Sequence, residues 1–424
     1  MIKKDNKIAV IGCGYVGLPL AVEFAKKRKV FVYDPFVERI NELNNGIDRN
    51  GEIQQSQLID IESNIHYSSD PSILKNSDIF IVTVPTPVGD NNIPDLSPLI
   101  LASEIVGKYI NNDGIVIYES TVYPGATEDD CVPIIEAKSG LSYKKDFHCG
   151  YSPERINPGD KVRTLTNTVK IVSASSDDIL DIVAELYESI IDAGTHRASS
   201  IRVAEAAKLI ENIQRDINIA IVNEYSSFLE MCDINSNDVI EAASTKWNFL
   251  PFKPGLVGGH CISVDPYYFI HKAKQVGMTP KIAIAARETN NAMYHTLTKW
   301  VEKNLLKNKT SLNGARLLIA GFSFKENTSD IRNTKIYDLI NTFNSQGAEV
   351  EVYDPLCDSI EVKKYYNLDL ITPRKSYYDA VFIAVPHKIF IDMGHQEFES
   401  FCKNQPTIFD FKSAFSKSIN VKRL

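Results

Sequence analysis

The sequence of 424 residues has no excess of basic residues, no long apolar run and no CxxC pair. With 46 basic against 54 acidic residues, its net charge of -8 predicts no nucleic-acid partner. No apolar stretch approaches the roughly 18 residues of a membrane span, so we expect no membrane partner and a cytoplasmic protein. The 7 cysteines are scattered, which argues against a disulfide framework and a zinc site, and we predict no metal. Most of these cysteines are expected to pack as small hydrophobic side chains.

The first 34 residues carry the pattern of a dinucleotide-binding βαβ unit. In "IGCGYVG", Gly12 allows the tight turn, Gly14 the close approach of a pyrophosphate, and Gly17 close packing of helix on strand. Asp34 ends the second strand, where a carboxylate accepts hydrogen bonds from a ribose and repels a 2′-phosphate. The pattern therefore predicts NAD rather than NADP as cofactor; the alternative is a Gly-rich turn used only for packing.

Two further apolar strands are predicted within residues 78–87 and 114–125, continuous as parallel strands buried on both faces should be. Ligands of such sheets bind at the carboxyl ends of the strands, where Glu119 and several hydroxyl side chains fall. The predicted cofactor-binding residues are Gly12, Gly14, Tyr15, Val16, Gly17, Asp34, Arg39, Thr83, Pro85, Thr86, Ser120 and Thr121.

The end of the sequence repeats the plan of its beginning. "RLLIAGFSFKENT" resembles "KIAVIGCGYVGLP", "VEVYDP" matches "VFVYDP", and "DAVFIAVPHK" matches "DIFIVTVPTP", in the same order. The second copy lacks GxGxxG and carries Lys325, Asp330 and Arg332 in its first turn, which indicates a different phosphate ligand. We predict an α/β protein with two Rossmann-like, doubly wound domains.

A long helix of roughly 30 residues is predicted between the two halves, because residues 199–233 contain neither Pro nor Gly and keep helical apolar spacing. Ser200 and Glu205 stand near its start, though not at the spacing of a capping box. The helix either forms a homodimer interface or bridges the two domains within one chain. The predicted domains are 1–198, 199–305 and 306–424.

Three segments carry candidate chemistry. Cys261 in "GLVGGHCISVDP" is flanked by glycines and followed by Asp265, a pattern that fits a nucleophile as well as a packed thiol. The neighbouring His260 is more typical of a packing residue than of a base. On the long helix, Lys208 and Asn212 share a face that either stabilises an oxyanion or is simply solvated. The loop 149–160 presents Glu154, Arg155 and Asn157, or is an ordinary surface turn.

Together these motifs resemble the UDP-glucose/GDP-mannose dehydrogenase family over nearly the full length. The resemblance is carried by "GCGYVGLPLA", "VPTP", "YESTVYPG", "YSPERINPGD", "EAAKLIENIQRDINIAIVNE", "PGLVGGHCISVDPYY" and "GFSFKENTSDIRNT". "SPERINPGD" and the cysteine motif are similar to the branch that acts on UDP-N-acetylhexosamines.

The resemblance implies NAD-dependent, four-electron oxidation of the sugar C6 hydroxyl to a carboxylate, for surface polysaccharide such as capsule or O-antigen. UDP-GlcNAc and UDP-GalNAc are the expected substrates; UDP-N-acetylmannosamine and UDP-glucose are the alternatives. Cys261 matches the nucleophile, Glu154 the hydrolytic base, and Thr121 a residue that positions water, while Lys208, Asn212 and Asp265 match the residues around the C6 oxygen. The implied substrate-binding residues are Glu154, Arg155, Ile156, Asn157, Lys208, Asn212, Phe249, Gly255, Gly258, Phe324, Lys325 and Arg332.

Two other classes of protein compete with this interpretation. A two-electron dehydrogenase or an epimerase would release one or no NADH per sugar and would use Cys261 only structurally. A non-catalytic NAD sensor would bind the cofactor without turnover. The four-electron enzyme is favoured over both, because a sensor has no need of a hydrolytic set and five residues match the family's positions together: Cys261, Asp265, Lys208, Asn212 and Glu154.

Overall fold

The computed structural model describes residues 6–89, 91–156, 162–403 and 405–424. The chain divides into two compact units. Unit 1 comprises the residues up to Glu211 together with Tyr267–Met278, and unit 2 comprises Asn212–Pro266 and Thr279–Leu424. Within the described ranges, no helix is both long enough and apolar enough to cross a membrane.

Unit 1 is built on one sheet whose strands run in the order β3-β2-β1-β4-β5-β6-β7-β8. Its central strands are uninterrupted apolar runs buried on both faces, as a helix-covered parallel sheet requires. All neighbouring strands pair in parallel except β6 and β7, which are antiparallel. The elements are β1 (Ile8–Ile11), α1 (Gly17–Ala25), β2 (Val30–Tyr33), α2 (Val37–Asn44), α3 (Gln55–Asp60), β3 (Ile65–Ser68), β4 (Ile79–Val82), α4 (Ser97–Tyr109), β5 (Gly114–Tyr118), α5 (Val132–Ser139), β6 (Phe147–Tyr151), β7 (Lys170–Ala174), α6 (Asp177–Glu188) and β8 (Thr195–Arg197).

The predicted long helix is confirmed as α7 (Ile201–Met231), whose 31 residues begin in unit 1 and end in unit 2. Ser200 accepts a hydrogen bond from the Val203 amide at 3.3 Å, so it contributes to capping the first turn. Glu205 is fully buried and instead accepts the amides of Gly125 and Thr127, at 2.6 and 2.9 Å. This carboxylate therefore ties α7 to the loop that follows β5.

The remaining elements include a second parallel sheet, in unit 2, with the strand order β10-β9-β11-β12-β13. Its cores lie on both faces of the sheet and contain leucine, isoleucine and phenylalanine side chains from strands and helices. The elements are α8 (Ser236–Ser244), α9 (Asp265–Gln275), α10 (Lys281–Lys307), β9 (Arg316–Ala320), α11 (Ile336–Ser345), β10 (Glu349–Tyr353), α12 (Ser359–Tyr366), β11 (Ala380–Ile383), α13 (Lys388–Met393), α14 (His395–Phe401), β12 (Ile408–Phe409) and β13 (Val421–Lys422).

The two sheets share an internal geometry that matches the repeat in the sequence. Gly12 and Gly321 follow β1 and β9 with the same φ of +95°, and each donates its amide to the last residue of the neighbouring strand at 2.8 Å. The acids that follow those strands, Asp34 and Asp354, accept the amides of Cys13 and Phe322 in turn. The predicted fold class, two Rossmann-like halves joined by a long helix, is confirmed. The three-domain division into 1–198, 199–305 and 306–424 stays a prediction.

Candidate active site

The glycine turn after β1 is closed so tightly that two of its positions are restricted to glycine. Gly12 has a positive φ of +95°, a conformation that other residues rarely adopt. A β-carbon on Gly17 would lie 2.0 Å from the Gly12 carbonyl oxygen and 2.4 Å from Thr83 Oγ1. Thr83 closes the turn from β4 by donating to the carbonyls of Gly12 and Ile11, at 2.9 and 3.1 Å. The N-terminus of α1 thus lies directly at the carboxyl end of β1.

Gly14 differs from these two glycines because a β-carbon there would meet no protein atom within 4 Å. The position is exposed, and it follows the tight turn and precedes the first amides of α1. An open approach to backbone amides at a helix N-terminus suits a pyrophosphate. The turn therefore fits the NAD that the sequence predicts.

Asp34 stands at the end of β2 with its carboxylate already oriented toward this turn. Oδ2 accepts the amide of Cys13 at 3.0 Å and its thiol at 3.3 Å, and Oδ1 accepts the amide of Phe36 at 3.0 Å. Arg39 lies beside it, with Nε donating to the Cys13 carbonyl at 3.2 Å and a terminal nitrogen 2.7 Å from Asp48. These contacts hold a carboxylate at the position where it would accept hydrogen bonds from the ribose hydroxyls of NAD.

The other predicted cofactor residues line the same edge of unit 1. Ser120 donates to the carbonyl of Val84 at 2.6 Å, which joins the loops after β4 and β5. The remaining positions are partly buried or exposed and therefore open to a ligand: Tyr15, Val16, Pro85, Thr86 and Thr121.

Substituting Gly17 with alanine should prevent NAD binding and lower the thermal unfolding midpoint, because the added carbon would overlap the Gly12 carbonyl. The matched variant Gly14→Ala should keep the unfolding midpoint and weaken NAD binding alone, since its methyl group meets only the approach to the turn. Thermal unfolding and NAD titration of both variants separate the two effects. An NAD affinity unchanged in Gly14→Ala would contradict the predicted position of the pyrophosphate.

Glu154 is buried at the end of β6, so the alternative of an ordinary surface turn is wrong for this residue. Its Oε1 accepts the amides of Arg155 and Ile156, and its Oε2 accepts Lys170 Nζ at 3.0 Å. Lys208 of α7 donates from Nζ to the Glu154 backbone carbonyl at 2.7 Å. The structure thus brings the predicted base and the predicted lysine together within unit 1.

The three predicted substrate residues that follow Glu154 in this loop differ in their surroundings. Arg155 forms an ion pair with Glu211 at 2.8 Å and donates to the Val169 carbonyl at 2.8 Å. Ile156 is partly buried. Asn157 lies outside the described residues.

Sequence reasoning missed three residues around Glu154. Lys170 is the first residue of β7 and is almost fully buried, Glu119 follows β5, and Tyr187 lies on α6. Glu119 was noticed only for its position at a strand end. The available signal was a lysine inside an apolar strand, "VKIVSA", which implies a buried partner for its charge.

The Cys261 loop of unit 2 presents an exposed thiol in the turn that leads into α9. The Cys261 carbonyl accepts the amides of Val264 and Asp265, at 3.1 and 2.8 Å. Asp265 is buried, and its Oδ2 accepts Nδ2 of Asn212 at 2.5 Å. Residues 53 positions apart in the chain are therefore joined four residues after the thiol.

Lys208 and Asn212 do not lie on a solvated face of α7, since their exposed fractions are 8% and 6%. Each contacts a different predicted catalytic residue, Lys208 in unit 1 and Asn212 in unit 2. The alternative that these two residues lie on a solvated helix face, which their spacing left open, is therefore wrong.

The same loop packs against the first turn of the second Rossmann-like half, within unit 2. Gly259, with a φ of +84°, leaves no room for a β-carbon beside the ring of Phe324, and its carbonyl accepts Asn333 Nδ2 at 3.1 Å. A β-carbon on Gly258 would lie 2.5 Å from the Asn333 carbonyl oxygen. The cysteine loop can therefore follow this path only with glycine at both positions.

The carboxylate of Asp330 lies at the centre of the polar side chains in this turn. Arg332 forms two hydrogen bonds to Asp330, at 2.9 and 2.6 Å, and His260 Nε2 lies 4.0 Å from the same carboxylate. Lys325 places its Nζ 5.6 Å from the centroid of the Phe324 ring. A planar guanidinium and an ammonium at a strand end suit a phosphate-bearing ligand.

The remaining predicted substrate residues lie in the segment before the cysteine. Phe249 has 37% of its surface exposed. Gly255 donates its amide to Asn223 Oδ1 of α7 and accepts Asn223 Nδ2, both at 2.9 Å.

Profiles of one protein family match most of the chain in three consecutive ranges. The UDP-glucose/GDP-mannose dehydrogenase family matches with its NAD binding domain at residues 6–191, its central domain at 202–292 and its UDP binding domain at 318–417. Among curated relatives, the Protein CapL of Staphylococcus aureus is 48% identical and covers 99% of both chains. A UDP-N-acetyl-D-glucosamine 6-dehydrogenase of Salmonella typhi is 47% identical and covers 96% of both.

Solved structures agree with this assignment. A UDP-D-ManNAc dehydrogenase from Pyrococcus horikoshii superposes with a TM-score of 0.89 at 27% identity, covering 98% of both chains. The UDP-N-acetyl-mannosamine dehydrogenase Cap5O from S. aureus gives 0.83 at 29% identity, covering 99% of this chain and 98% of that one. With an NAD-binding turn, a buried acid-lysine cluster and an exposed cysteine on this fold, the chain belongs to the UDP-glucose/GDP-mannose dehydrogenase family of NAD-dependent oxidoreductases.

Proposed function

We propose that the protein oxidises the C6 hydroxyl of a UDP-N-acetylhexosamine to the uronic acid by an NAD-dependent, four-electron route. The observation that carries this proposal is the Cys261 loop, in which an exposed thiol precedes a buried Asn212–Asp265 hydrogen bond. A two-electron enzyme has no use for a nucleophile with an ordered carboxylate beside it. The Gly12–Gly17 turn would hold NAD, which would supply the hydride acceptor for both oxidation steps.

In the first oxidation, the C6 hydroxyl passes its proton to a catalytic water and carbon C6 gives up a hydride to the cofactor, which leaves an aldehyde. Lys208, Asn212 and Asp265 serve this step: the ammonium stabilises the developing alkoxide, and the amide and carboxylate orient the hydroxyl and a catalytic water. The hydrogen bond between Asn212 and Asp265 supports this role because it fixes both side chains before substrate binds.

In the second oxidation, the Cys261 thiolate adds to the aldehyde carbon, and the carbonyl oxygen takes a proton to give a thiohemiacetal. Loss of the second hydride and of that proton leaves a thioester on Cys261. Covalent capture keeps the reactive aldehyde on the protein. The exposure of the thiol supports attack on a bound substrate.

Hydrolysis completes the reaction. Glu154 takes a proton from water, the hydroxide adds to the thioester, and collapse releases the uronate and the Cys261 thiol. Thr121 positions the water in this scheme. Glu154 is suited to the role because its carboxylate is buried and held by Lys170 and two backbone amides.

The proposed nucleotide-sugar contacts include residues of the SPER loop, residues 152–155, in unit 1 and residues of the second Rossmann-like half in unit 2. In this proposal Lys325 and Arg332 bind the diphosphate, and the Asp330 pair holds Arg332 in place. The other contacts come from Glu154, Arg155, Ile156, Asn157, Phe249, Gly255, Gly258 and Phe324.

Among substrates we propose UDP-GlcNAc first, followed by its C4 epimer UDP-GalNAc. The support is the difference between relatives named for UDP-N-acetyl-D-glucosamine, at 47% identity, and those named for UDP-N-acetyl-D-mannosamine, at 28% to 31%. UDP-N-acetylmannosamine and UDP-glucose remain the alternatives. The proposal also includes use of the product in a capsule or O-antigen polysaccharide and the three-domain division at residues 198 and 305. It includes a cytoplasmic location as well, which seven cysteines that form no disulfide favour.

The yield of NADH per mole of limiting sugar tests the reaction. We expect two NADH per sugar with UDP-GlcNAc or UDP-GalNAc, and a lower rate with UDP-glucose. One NADH or none from every sugar would overturn the four-electron route and leave Cys261 with a structural role. The comparison of the three sugars in one assay also identifies the preferred epimer.

We further propose a homodimer formed through α7. Six large apolar side chains on this helix are exposed, and at 100° per residue all except Met231, its last residue, fall within about 60° of arc. Such a continuous stripe is typical of a surface that another subunit covers. The five side chains are Val203, Ile210, Ile221, Tyr225 and Phe228.

Replacing Ile221 with glutamate should convert the dimer to a monomer, because a charge would be buried at the centre of the stripe. Light scattering behind size-exclusion chromatography measures the change. Ile282→Glu on α10, an exposed isoleucine outside the stripe, is the control and should leave the mass unchanged. A wild-type protein of monomer mass would refute the interface.

A further inference from the structure

The buried cluster of Glu119, Glu154, Lys170 and Tyr187 contains charges that the proposed reaction does not use. Lys170 Nζ lies between two carboxylates, 2.7 Å from Glu119 Oε2 and 3.0 Å from Glu154 Oε2. Tyr187 donates its hydroxyl to Glu119 Oε1, and Lys170 Nζ lies 5.5 Å from the centroid of the Tyr187 ring. Burying one ammonium and two carboxylates is costly, so a cluster of this kind calls for a specific reason.

The geometry of the cluster follows from the antiparallel pairing of β6 with β7 in unit 1. β6 and β7 pair with Gly150 opposite Ala174 and Tyr151 opposite Ser173. Continuing this register beyond the last pair brings Glu154 opposite Lys170. Because β7 runs against β6, its first residue reaches the carboxyl end of the sheet, where ligands of this fold bind.

The electrostatics of the cluster keep its lysine charged. Burial alone would lower the pKa of Lys170, but the charges and hydrogen bonds of Glu119 and Glu154 outweigh it and raise that pKa, so the side chain stays an ammonium. Burial and the charge of Glu154 raise the pKa of Glu119 despite Lys170.

We propose that Lys170 is a positioning residue for the hydrolytic step: its ammonium, 3.0 Å from Glu154 Oε2, supplies a positive charge beside the carboxylate and holds it in a fixed plane. Glu119 and Tyr187 hold Lys170 in turn. This inference rests on the proposed role of Glu154 as base. No transfer of a proton to Lys170 is required, since Lys170 acts only through its charge and its hydrogen bonds.

Other charged or titratable groups around Glu154 are accounted for in the same geometry. Lys208 of α7 binds the Glu154 backbone carbonyl rather than its carboxylate, and Arg155 is paired with Glu211. Tyr187 of α6 faces Glu119. Lys170 is therefore the cation that directly contacts the Glu154 carboxylate among the described contacts of this cluster.

Two substitutions that should shift the pH profile of kcat in opposite directions test the proposal. Lys170→Met leaves Glu119 and Glu154 without their shared cation, so the low-pH side of the kcat profile should move to higher pH. Glu119→Gln removes the competing carboxylate, so that Lys170 pairs with the charge of Glu154 alone. The low-pH side of the kcat profile should therefore move to lower pH. A merely structural role would move both profiles in the same direction or move neither.

The reaction itself provides a second readout. In Lys170→Met, kcat should fall roughly 10- to 100-fold while KM for UDP-GlcNAc changes less than about 3-fold, since the base and not binding is affected. A burst of two NADH per site should precede the slow phase, with an acyl adduct on Cys261 detectable by intact mass. Lys170→Arg keeps the charge and should restore the position of the pH profile.

The control is Arg287→Met, which removes the cation of another buried ion pair, with Asp216 in unit 2. It should lower the unfolding midpoint without moving the pH profile or producing the adduct. Changes in Arg287→Met that equal those in Lys170→Met would overturn the proposal. If Lys170→Met does not fold, a Glu119→Gln profile that fails to move to lower pH overturns it instead.

Failure of the proposed function is recognised separately. Wild-type enzyme that releases one NADH or none per sugar refutes the four-electron route, whatever the variants do. Wild-type enzyme that releases two, with a folded Lys170→Met variant of unchanged pH profile and no adduct, refutes only the role of Lys170.

Discussion

Cys261→Ser should reduce steady-state turnover by about 10³-fold or more, because the alcohol is a far weaker nucleophile and the covalent route is lost. Binding of NAD and of the UDP-sugar should stay close to the wild-type level, since the side chains are similar in size. Turnover is measured as NADH formation, and binding by titration calorimetry. The first oxidation does not use the thiol, so trapping reagents should detect aldehyde.

The control for this variant is Cys232→Ser. Cys232 and Cys261 are both exposed, and both belong to unit 2. Turnover of Cys232→Ser should equal that of the wild type. Full double oxidation by Cys261→Ser would remove the residue from the mechanism.

Glu154→Gln should slow steady-state turnover by about 10²- to 10⁴-fold, because an amide cannot take the proton from the hydrolytic water. Both hydride transfers precede that step, so the variant should release a burst of two NADH per site and then stop. The stalled thioester should appear as a mass increase on Cys261. Rapid-mixing absorbance and intact mass spectrometry record the two signals.

A partly buried acid elsewhere in unit 1 provides the comparison for Glu154→Gln. Glu128 of unit 1 lies within 3.5 Å of both Lys144 and Arg202 and has no proposed part in the reaction. Glu128→Gln should turn over at the wild-type rate. Absence of a burst in a folded Glu154→Gln protein would mean that Glu154 acts before hydrolysis.

Local patterns were sufficient to predict the dinucleotide turn, the long helix and the repeated half. Gly12 and Gly17 could be predicted because the turn itself excludes a β-carbon, and α7 because its segment has no Pro or Gly. These features depend on residues close together in the chain. Sequence patterns report such features directly.

Features that depend on strand register could not be predicted in this way. Lys170 meets Glu154 only because β7 is antiparallel to β6, and a lysine in an apolar strand does not reveal which carboxylate it will contact. Glu205 was considered as a possible helix cap, but its partners are amides some 80 residues earlier. Likewise, helical spacing placed Lys208 and Asn212 on one face without showing that both are buried.

The second Rossmann-like half has filled its own ribose position. Asp354, the counterpart of Asp34, accepts His387 Nε2 at 3.0 Å as well as the amides of Phe322 and Ser323. Burial would raise the pKa of Asp354, but the His387 contact and the amides of Phe322 and Leu356 lower it to about 2, so this carboxylate is already satisfied by protein groups. For an engineer, grafting GxGxxG onto this half would not create a second cofactor site. The two copies have thus diverged at this turn. In the first copy glycines leave space for a ligand, and in the second copy charged side chains fill the corresponding space.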